Sequence, residues 1–498
     1  MNDWKRWTGA ARVLLAATCA CAGTAAYAEA PGATGELPTV CLDTGTNITL
    51  GTAVTRDDRG NTYVTGGKRS NDSASGKRVS VMATVKYDAT GREVWSRSYQ
   101  GTFGCFDHGR AIATDKAGNV YVTGLEWISG NDPAHPHVDA SRKAYATVKY
   151  DADGNRKWVS RYFERSHRKN EPRAVVVDDS GDVYVTGLSD GTSHGEIATI
   201  KYDGRDGRQL WALRYPSEYG VLGVTGMVSD SKRHMYVAAT VCTQRTQLGN
   251  CSDFEYRVLK YDRSGRLAWT AQYDNGAGFA GAATSLTAAR DDVYVTGWSC
   301  STPYIVFEYD GNVFARCDEA DYATVKVKGD GTRAWVARYH GSAPGNYAPG
   351  AIAVDDEGSA YVTGSGTYGD FGVHTVKYDK TGKQSWATVT DGKDWASPAA
   401  IAVNSRGQAY VAGAMLHDYR SHFGVVAYDT HGNELWKQKV QGADQGRGWA
   451  AAAVALDKKG RVSVTGGTLD QLPWGPMDSW YLTNSYSAEG QVLWTREF

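Results

Sequence analysis

Several residue groupings in this 498-residue chain have the makings of chemical sites. Asp151-x-Asp153-Gly154-Asn155 carries the alternating oxygen donors that open a Ca²⁺ loop, but the terminal bidentate Glu is absent and equivalent segments drop the second Asp. It reads as an Asp-capped turn. His135-Pro136-His137, flanked by Asp132 and Asp139, offers transition-metal ligands, yet Pro between two His in a polar loop points to an irregular solvated segment. No metal site is assigned. Ser and His lie scattered and no Gly-x-Ser-x-Gly elbow occurs, so no nucleophile–base pair and no catalytic residue is assigned either. The remaining grouping is aromatic. Trp298, Tyr304, Phe307, Tyr309 and Phe314 fall within 24 residues, Trp298 to Asp321, and Cys300 and Cys317 bracket most of them. Rings on a stapled loop suit stacking on a glycan or anchoring a protein partner, because the staple reduces the entropy lost on binding. Trp395 and Trp449 are candidate assistants.

These residues sit in a repeat. Tyr-Val-Thr-Gly or a close variant begins at Tyr63, Tyr121, Tyr184, Tyr236, Tyr294, Tyr361, Tyr410 and Ser463, and a Gly-x-x-x-Trp segment follows each, from Gly91/Trp95 to Gly490/Trp494. The period is about 57 residues. Each unit resolves into four short runs rich in Val, Thr, Tyr and Trp, joined alternately by Asp-x-x-Gly turns and by connections of variable length. Glycine is abundant, 58 residues against 12 prolines, as many tight turns require. The pattern predicts an all-β chain, one β-propeller of four-stranded antiparallel blades. Eight units give eight blades. The alanine-rich first run, such as Ala450 to Ala453, belongs at the axis, and the fourth, with its Trp, at the rim. Tight turns then occupy one face and the variable connections the other, which is where the aromatic insertion and the second long segment, Leu125 to Ala144, fall. Lys86, Lys149, Lys201, Lys260, Lys326 and Lys377 recur in the third run. The repetition implies stems packed between blades, with each ammonium meeting a nearby acid.

The units, seen as Asp-x-x-Gly-Asn-x-Tyr-Val-Thr-Gly followed by Thr-Val-Lys-Tyr-Asp, resemble the bacterial β-propeller repeat family called SBBP along essentially the whole mature chain. The resemblance implies the fold and an exported location, and carries no general catalytic chemistry. The family's name implies seven blades, which stands as the alternative to eight. A weaker likeness connects Thr381 to Trp386 and Asp203 to Trp211 with the tryptophan-docking motif of pyrroloquinoline-quinone (PQQ) dehydrogenases. The adjacent cysteine pair that often lies beside that quinone is missing, and neither PQQ nor Ca²⁺ is expected as a cofactor.

Lys5 and Arg6, the apolar run Val13 to Ala22, and Ala26-Tyr27-Ala28 have the three parts of a secretory signal. The division expected is therefore a signal at 1–28, an extension at 29–52 and the propeller at 53–498. Export to the periplasm, cell surface or medium favours disulfides, and the pairs read from spacing are Cys242 with Cys251 and Cys300 with Cys317, leaving Cys41 with Cys105 by elimination. A net charge of −1 gives no global field for nucleic acid, and no window of the mature chain is apolar enough for a membrane helix. The expected function is a monomeric, non-enzymatic propeller binding an extracytoplasmic protein or glycan. The alternative is a propeller enzyme, either a quinoprotein-like oxidoreductase or a carbohydrate-active hydrolase or lyase.

Overall fold

The computed structural model describes residues 51–498 except 72–77, 102–106, 129–141, 165–168, 191–194, 246–250, 275–280, 302–304, 310–311, 318, 368–370, 392–394, 418–419, 441–447 and 470–480. Blade one is β1 (Gly51–Arg56), β2 (Thr62–Asn71), β3 (Arg78–Tyr87) and β4 (Glu93–Tyr99). Blade two is β5 (His108–Thr114), β6 (Val120–Ile128), β7 (Arg142–Tyr150) and β8 (Arg156–Tyr162), and blade three is β9 (Lys169–Val177), β10 (Val183–Asp190), β11 (Gly195–Tyr202) and β12 (Gln209–Tyr215). Blade four is β13 (Val221–Ser229), β14 (Met235–Arg245), β15 (Cys251–Tyr261) and β16 (Leu267–Tyr273). Blade five is β17 (Gly281–Ala289), β18 (Asp292–Cys300), β21 (Ala320–Val327) and β22 (Arg333–Tyr339), with a separate hairpin, β19 (Ile305–Tyr309) and β20 (Asn312–Arg316), between its second and third strands. Blade six is β23 (Tyr347–Val354), β24 (Ala360–Gly366), β25 (Gly372–Tyr378) and β26 (Gln384–Asp391). Blade seven is β27 (Trp395–Val403), β28 (Ala409–His417), β29 (Arg420–Tyr428) and β30 (Glu434–Val440). Blade eight is β31 (Gly448–Leu456), β32 (Val462–Leu469), β33 (Tyr481–Tyr486) and β34 (Val492–Glu497).

The protein is thus an eight-bladed β-propeller, each blade an antiparallel meander from one continuous stretch of chain. The first strands contact one another around the axis, and β1 meets β31 to close the ring, with no exchange of a strand among the described residues. No helix occurs among the described residues, so none is long and apolar enough to cross a membrane.

Two turn types repeat. In blade one the Asp57 carboxylate accepts the amides of Arg59 and Asn61 at 3.0 and 2.8 Å, and its second oxygen accepts the Tyr63 hydroxyl at 2.9 Å. The same cap recurs from Asp355 to Tyr361. Blade five dispenses with it: Ala289 pairs directly with Asp292 around Arg290, whose φ is 57°. The turns between third and fourth strands place a positive-φ Gly under the indole of the preceding blade. A Cβ on Gly154 would lie 2.8 Å from Trp95, and one on Gly432 would lie 2.7 Å from Trp386. Glycine is needed there for both its backbone conformation and its missing side chain. The indoles also donate across the gap, Trp95 to the Ala152 carbonyl at 3.1 Å and Trp436 to that of Ala488 at 2.9 Å. The fourth-strand Trp is therefore a dock for the next blade.

Cross-strand register lines up Tyr63, Lys86 and Trp95 on one row, and the equivalent residues do the same through blade six. Each Lys ammonium lies 4.8–5.4 Å from the ring of its Tyr. The expected acids appear for Lys201 with Asp182, Lys326 with Asp292 and Lys260 with Asp230, at 2.8, 3.0 and 4.0 Å. Lys86, Lys149 and Lys260 donate to carbonyls of the next blade, those of Ala152, Gly204 and Gly329, at 2.6–2.9 Å. Those three carbonyls are the ones the indoles also use. The core consequently lies between blades: Tyr121, Tyr145 and Trp158 of blade two pack with Val175, Val183 and Val185 of blade three. Inner strands carry a bulge, as between Ala174 and Pro172 opposite Gly187. A Cβ on Gly187 would lie 2.7 Å from both Pro172 Cα and the Tyr145 hydroxyl, which accounts for the Gly that ends Tyr-Val-Thr-Gly.

Candidate functional site

The tight-turn face carries two clefts, between blades five and six and between blades one and two, of about 160 and 270 Å³, lined by turn residues such as Glu357, Lys380, Asp57 and Lys116. Both fall short of the roughly 300–1,000 Å³ of a typical small-molecule site. The opposite face is built up on blades four and five.

On blade five the insertion is a hairpin on a stapled stalk. Cys300 and Cys317 are joined with Cα atoms 5.6 Å apart, and beyond them β19 and β20 pair with Phe307 directly opposite Phe314 and Tyr309 opposite Asn312. Asp310-Gly311 between them has the residue types a two-residue hairpin turn demands. β20 rests against β15 of blade four. There β14 and β15, at 11 residues each, overrun the strands of other blades and are joined near their ends by Cys242–Cys251, with Cα atoms 5.8 Å apart. Two stapled prominences thus stand side by side. Cys41 and Cys105 lie outside the described residues.

Trp298 is partly buried, its ring edge-on to Phe254 of β15 at 5.6 Å, and its carbonyl accepts the Tyr256 hydroxyl at 3.0 Å. It anchors the stalk to blade four as well as bordering the face. Tyr304 lies outside the described residues. Trp395 opens β27 and Trp449 is the second residue of β31, so both lie at the same end of their blades as the insertion, two and three blades round the ring from it. The hairpin leans the other way, toward blade four. Sequence reasoning missed Leu222 and Phe371, at 47% and 55% exposure, which flank the prominence on blades four and six. A large apolar side chain next to a variable connection was the available signal.

The stalk stands on a polar cluster. Asp321 accepts from Arg338 at 2.9 and 3.0 Å and from His340 Nδ1 at 2.7 Å, while Arg338 also donates to the carbonyls of Ser299 and Cys300, each at 3.3 Å. The His340 ring packs edge-on against Tyr347 at 5.2 Å, and Tyr347 against the fully buried His374 at 5.3 Å, whose Nδ1 is 3.0 Å from the Tyr339 hydroxyl. Part of this is a recurring clamp: Arg338 donates to the Tyr273 hydroxyl of the preceding blade at 3.4 Å, as Arg161 and Arg257 donate to Tyr99 and Tyr215 while holding Glu126 and Glu255. His340 is the addition. A partly exposed imidazole with one nitrogen fixed by a carboxylate can transfer a proton or meet a ligand with the other.

A second buried carboxylate lies on this face between blades one and two. Asp107 accepts the amides of Gly101 at 2.6 Å and Trp127 at 3.2 Å, and burial raises its carboxyl to about 7. A carboxyl raised in the folded state holds its proton there while the unfolded chain has lost it, so stability falls as pH rises from about 4 to 7. Urea unfolding at pH 5 and pH 8 should show a loss on the order of 2 kcal/mol at the higher pH. Asp107→Asn should remove that part of the dependence, and an unchanged profile in the variant would refute it.

No family model matches the chain, and no curated protein matches it. Among solved structures it is similar to Sqt1 from Chaetomium thermophilum, with 10% identity, 84% of this chain and 94% of that one covered, and a TM-score of 0.48. It is also similar to a PL25 ulvan lyase, with 10% identity, 77% and 92% coverage and a TM-score of 0.42, and to the acylaminoacyl peptidase of Pyrococcus horikoshii, with 10% identity, 78% and 52% coverage and a TM-score of 0.40. One was solved with the N-terminus of a ribosomal protein, one is a lyase and one is a peptidase, and likenesses this distant assign none of these roles to the present chain.

Proposed function

We propose that this chain is an exported, non-enzymatic propeller of the SBBP-like type that binds a protein partner or glycan through the face around blades four to six. The observation that carries the reading is the pair of adjacent disulfide-stapled prominences flanked by exposed Leu222 and Phe371. Apolar side chains held in the open beside rigid prominences, as Leu222 and Phe371 are, cost solubility, and a partner that covers them offsets that cost. Disulfides also suit an oxidising compartment, in keeping with the signal-like segment ending at Ala28. The test is a broad glycan and secretome binding screen with the mature chain. Phe307→Ala with Phe371→Ala should weaken the strongest hit by about tenfold or more, as loss of aromatic anchors does, with thermal unfolding nearly unchanged. Trp395→Ala with Trp449→Ala is the counterpart. If that pair abolishes binding and the first does not, recognition lies over blades seven and eight.

One observation favours a carbohydrate-active enzyme instead, the carboxylate-held imidazole of His340. That reading requires new reducing ends or unsaturated products from a polysaccharide panel, and their loss in His340→Ala. The tryptophan motif that suggests a quinone is accounted for by blade docking, since Trp386 donates to the Thr430 carbonyl at 2.9 Å and Trp211 lies over Gly265.

A further inference from the structure

We infer that the cleft between blades five and six on the tight-turn face binds a small carboxylate, a second site beyond the binding face proposed above. The repeat itself shows what this cleft lacks. In blades one to four and six the first tight turn opens with an Asp whose carboxylate accepts the hydroxyl of the following Tyr at 2.9–3.2 Å: Asp57 with Tyr63, Asp115 with Tyr121, Asp178 with Tyr184, Asp230 with Tyr236 and Asp355 with Tyr361. Blade three makes the comparison direct, since Lys201 and Lys326 each pair with the acid two residues before the Tyr, Asp182 and Asp292. Residues 178–182 form the turn between Val177 and its partner Val183, and the first of them is Asp178. Residues 289–292 form the shorter turn between Ala288 and its partner Val293, and the first of them is Ala289. The capping carboxylate is gone. Tyr236 and Tyr361 reach a carbonyl of the next blade as well as their acid, at 2.9 and 3.1 Å, whereas Tyr294 reaches that of Gly358 without an acid and at 3.3 Å.

Space and charge remain where the side chain is missing. The cleft of about 160 Å³ has room for several waters, at about 30 Å³ each, and so for a small organic acid. Its lining is cationic, with Arg290, Lys326 and Lys380 against Glu357 and the Asp292 that Lys326 engages. The Lys326 side chain is only 14% exposed, so a carboxylate beside it forms a charge-assisted bond away from bulk water. Arg290 and Lys380 stand on opposite walls, and the Arg290 guanidinium already crosses the gap to the Asp356 carbonyl at 3.1 Å. Arg290 also holds a left-handed backbone, with φ of 57°, where the turn of blade three uses Gly181 at 85°. Gly would relieve that strain, and the Arg puts a cation at the cleft instead. A bound carboxylate accepts from Tyr294 and Lys326 and takes the part that Asp178 plays for Tyr184.

Thermal unfolding of the mature chain at pH 7, in sodium acetate against sodium chloride at equal ionic strength, tests the inference with the probe nearest to an Asp side chain. The melting temperature should climb with the logarithm of acetate once its concentration passes the dissociation constant, as binding to the folded state requires. Lys326→Met and Lys380→Ala should each raise that constant by about tenfold, the worth of one charge-assisted bond. Replacing residues 289–292 by the Asp178–Asp182 segment of blade three returns the carboxylate to the chain. That graft should melt higher than the parent in chloride and respond less to acetate. A general salt effect acts on parent and variants alike, so the difference between them is what counts. Lys380 is exposed and it is its carbonyl that holds the Trp335 indole, so Lys380→Ala decides the matter even if the graft fails to fold. Equal acetate responses in the parent and Lys380→Ala, or no acetate response in the parent, would overturn the site. A larger response to sulfate or phosphate than to acetate would give the cleft to a tetrahedral anion and overturn the carboxylate. The variants leave the opposite face untouched, so the binding reading there stands or falls separately.

Discussion

Trp494→Ala lowers the unfolding free energy by about 3–5 kcal/mol, the usual cost of truncating a buried Trp. Trp494 is 6% exposed and docks over Gly91, so it performs between the last blade and the first what Trp95 performs between blades one and two. The seam dock differs in one respect. The Trp494 indole N–H is buried without a partner among the described residues, whereas those of Trp95, Trp386 and Trp436 each reach a carbonyl. The Arg496 guanidinium compensates by donating to the Gly91 carbonyl at 2.6 Å, and Lys68 sits 3.9 Å over the Phe498 ring. The comparison that isolates the seam is Trp158→Ala, a dock inside the chain of similar burial. Both substitutions should cost about the same by urea melts. Amide exchange should separate them, with Trp494→Ala deprotecting blades one and eight ahead of the rest. A loss below about 1 kcal/mol, or uniform deprotection, would sink the idea that this indole holds the ring shut.

Arg56→Ala should be about as damaging. Its guanidinium is fully buried between blades one and eight, 3.4 Å from Asp457, which is itself 3% exposed, and it donates to Ser463 at 2.9 Å. Removing one partner of a buried pair typically costs about 3–5 kcal/mol, and the Arg461 bond to Asp457 places this case toward the lower end. Burial pulls Arg56 down to about 10, so it stays charged at neutral pH. For Asp457 burial pushes upward, but bonds from the Arg461 amide and guanidinium and the charge of Arg56 outweigh it and hold the carboxyl below its ordinary value. A depressed carboxyl stabilises the fold above the unfolded value near 4, and that contribution is lost as pH falls through the folded one. Acid unfolding between pH 5 and 2 should therefore be less steep in Arg56→Ala than in the parent. Equal steepness would show that Arg461 alone sets the Asp457 carboxyl.

The seam also marks where sequence patterning succeeded and where it stopped. The blades were legible because a four-strand unit with fixed turns writes its period into the chain eight times. Ser463 stands where the other seven units have Tyr. It makes space for Arg56, which arrives from the other end of the chain, and no local pattern encodes a contact separated by 407 residues. The lysines were read in part, for a related reason: acids meet Lys201, Lys260 and Lys326, while Lys86 and Lys149 reach carbonyls. Their spacing revealed that they pack between blades, but a backbone carbonyl such as that of Ala152 has no sequence signature, so acids were the visible partners. Of the candidate site, the staples were readable from cysteine spacing. The hairpin within the Cys300–Cys317 segment was latent in Asp310-Gly311, while Leu222 and Phe371, large apolar residues beside variable connections, needed their exposure to single them out.

A ring closed by side chains has no privileged starting blade. β1 begins and β34 ends on the same face, at the two positions that every other pair of neighbouring blades joins with a short covalent connection. Linking Phe498 to Gly51 and reopening the chain at another such connection would give a circular permutant that keeps all eight docks. The present order of blades is then one of eight equivalent spellings of the same object.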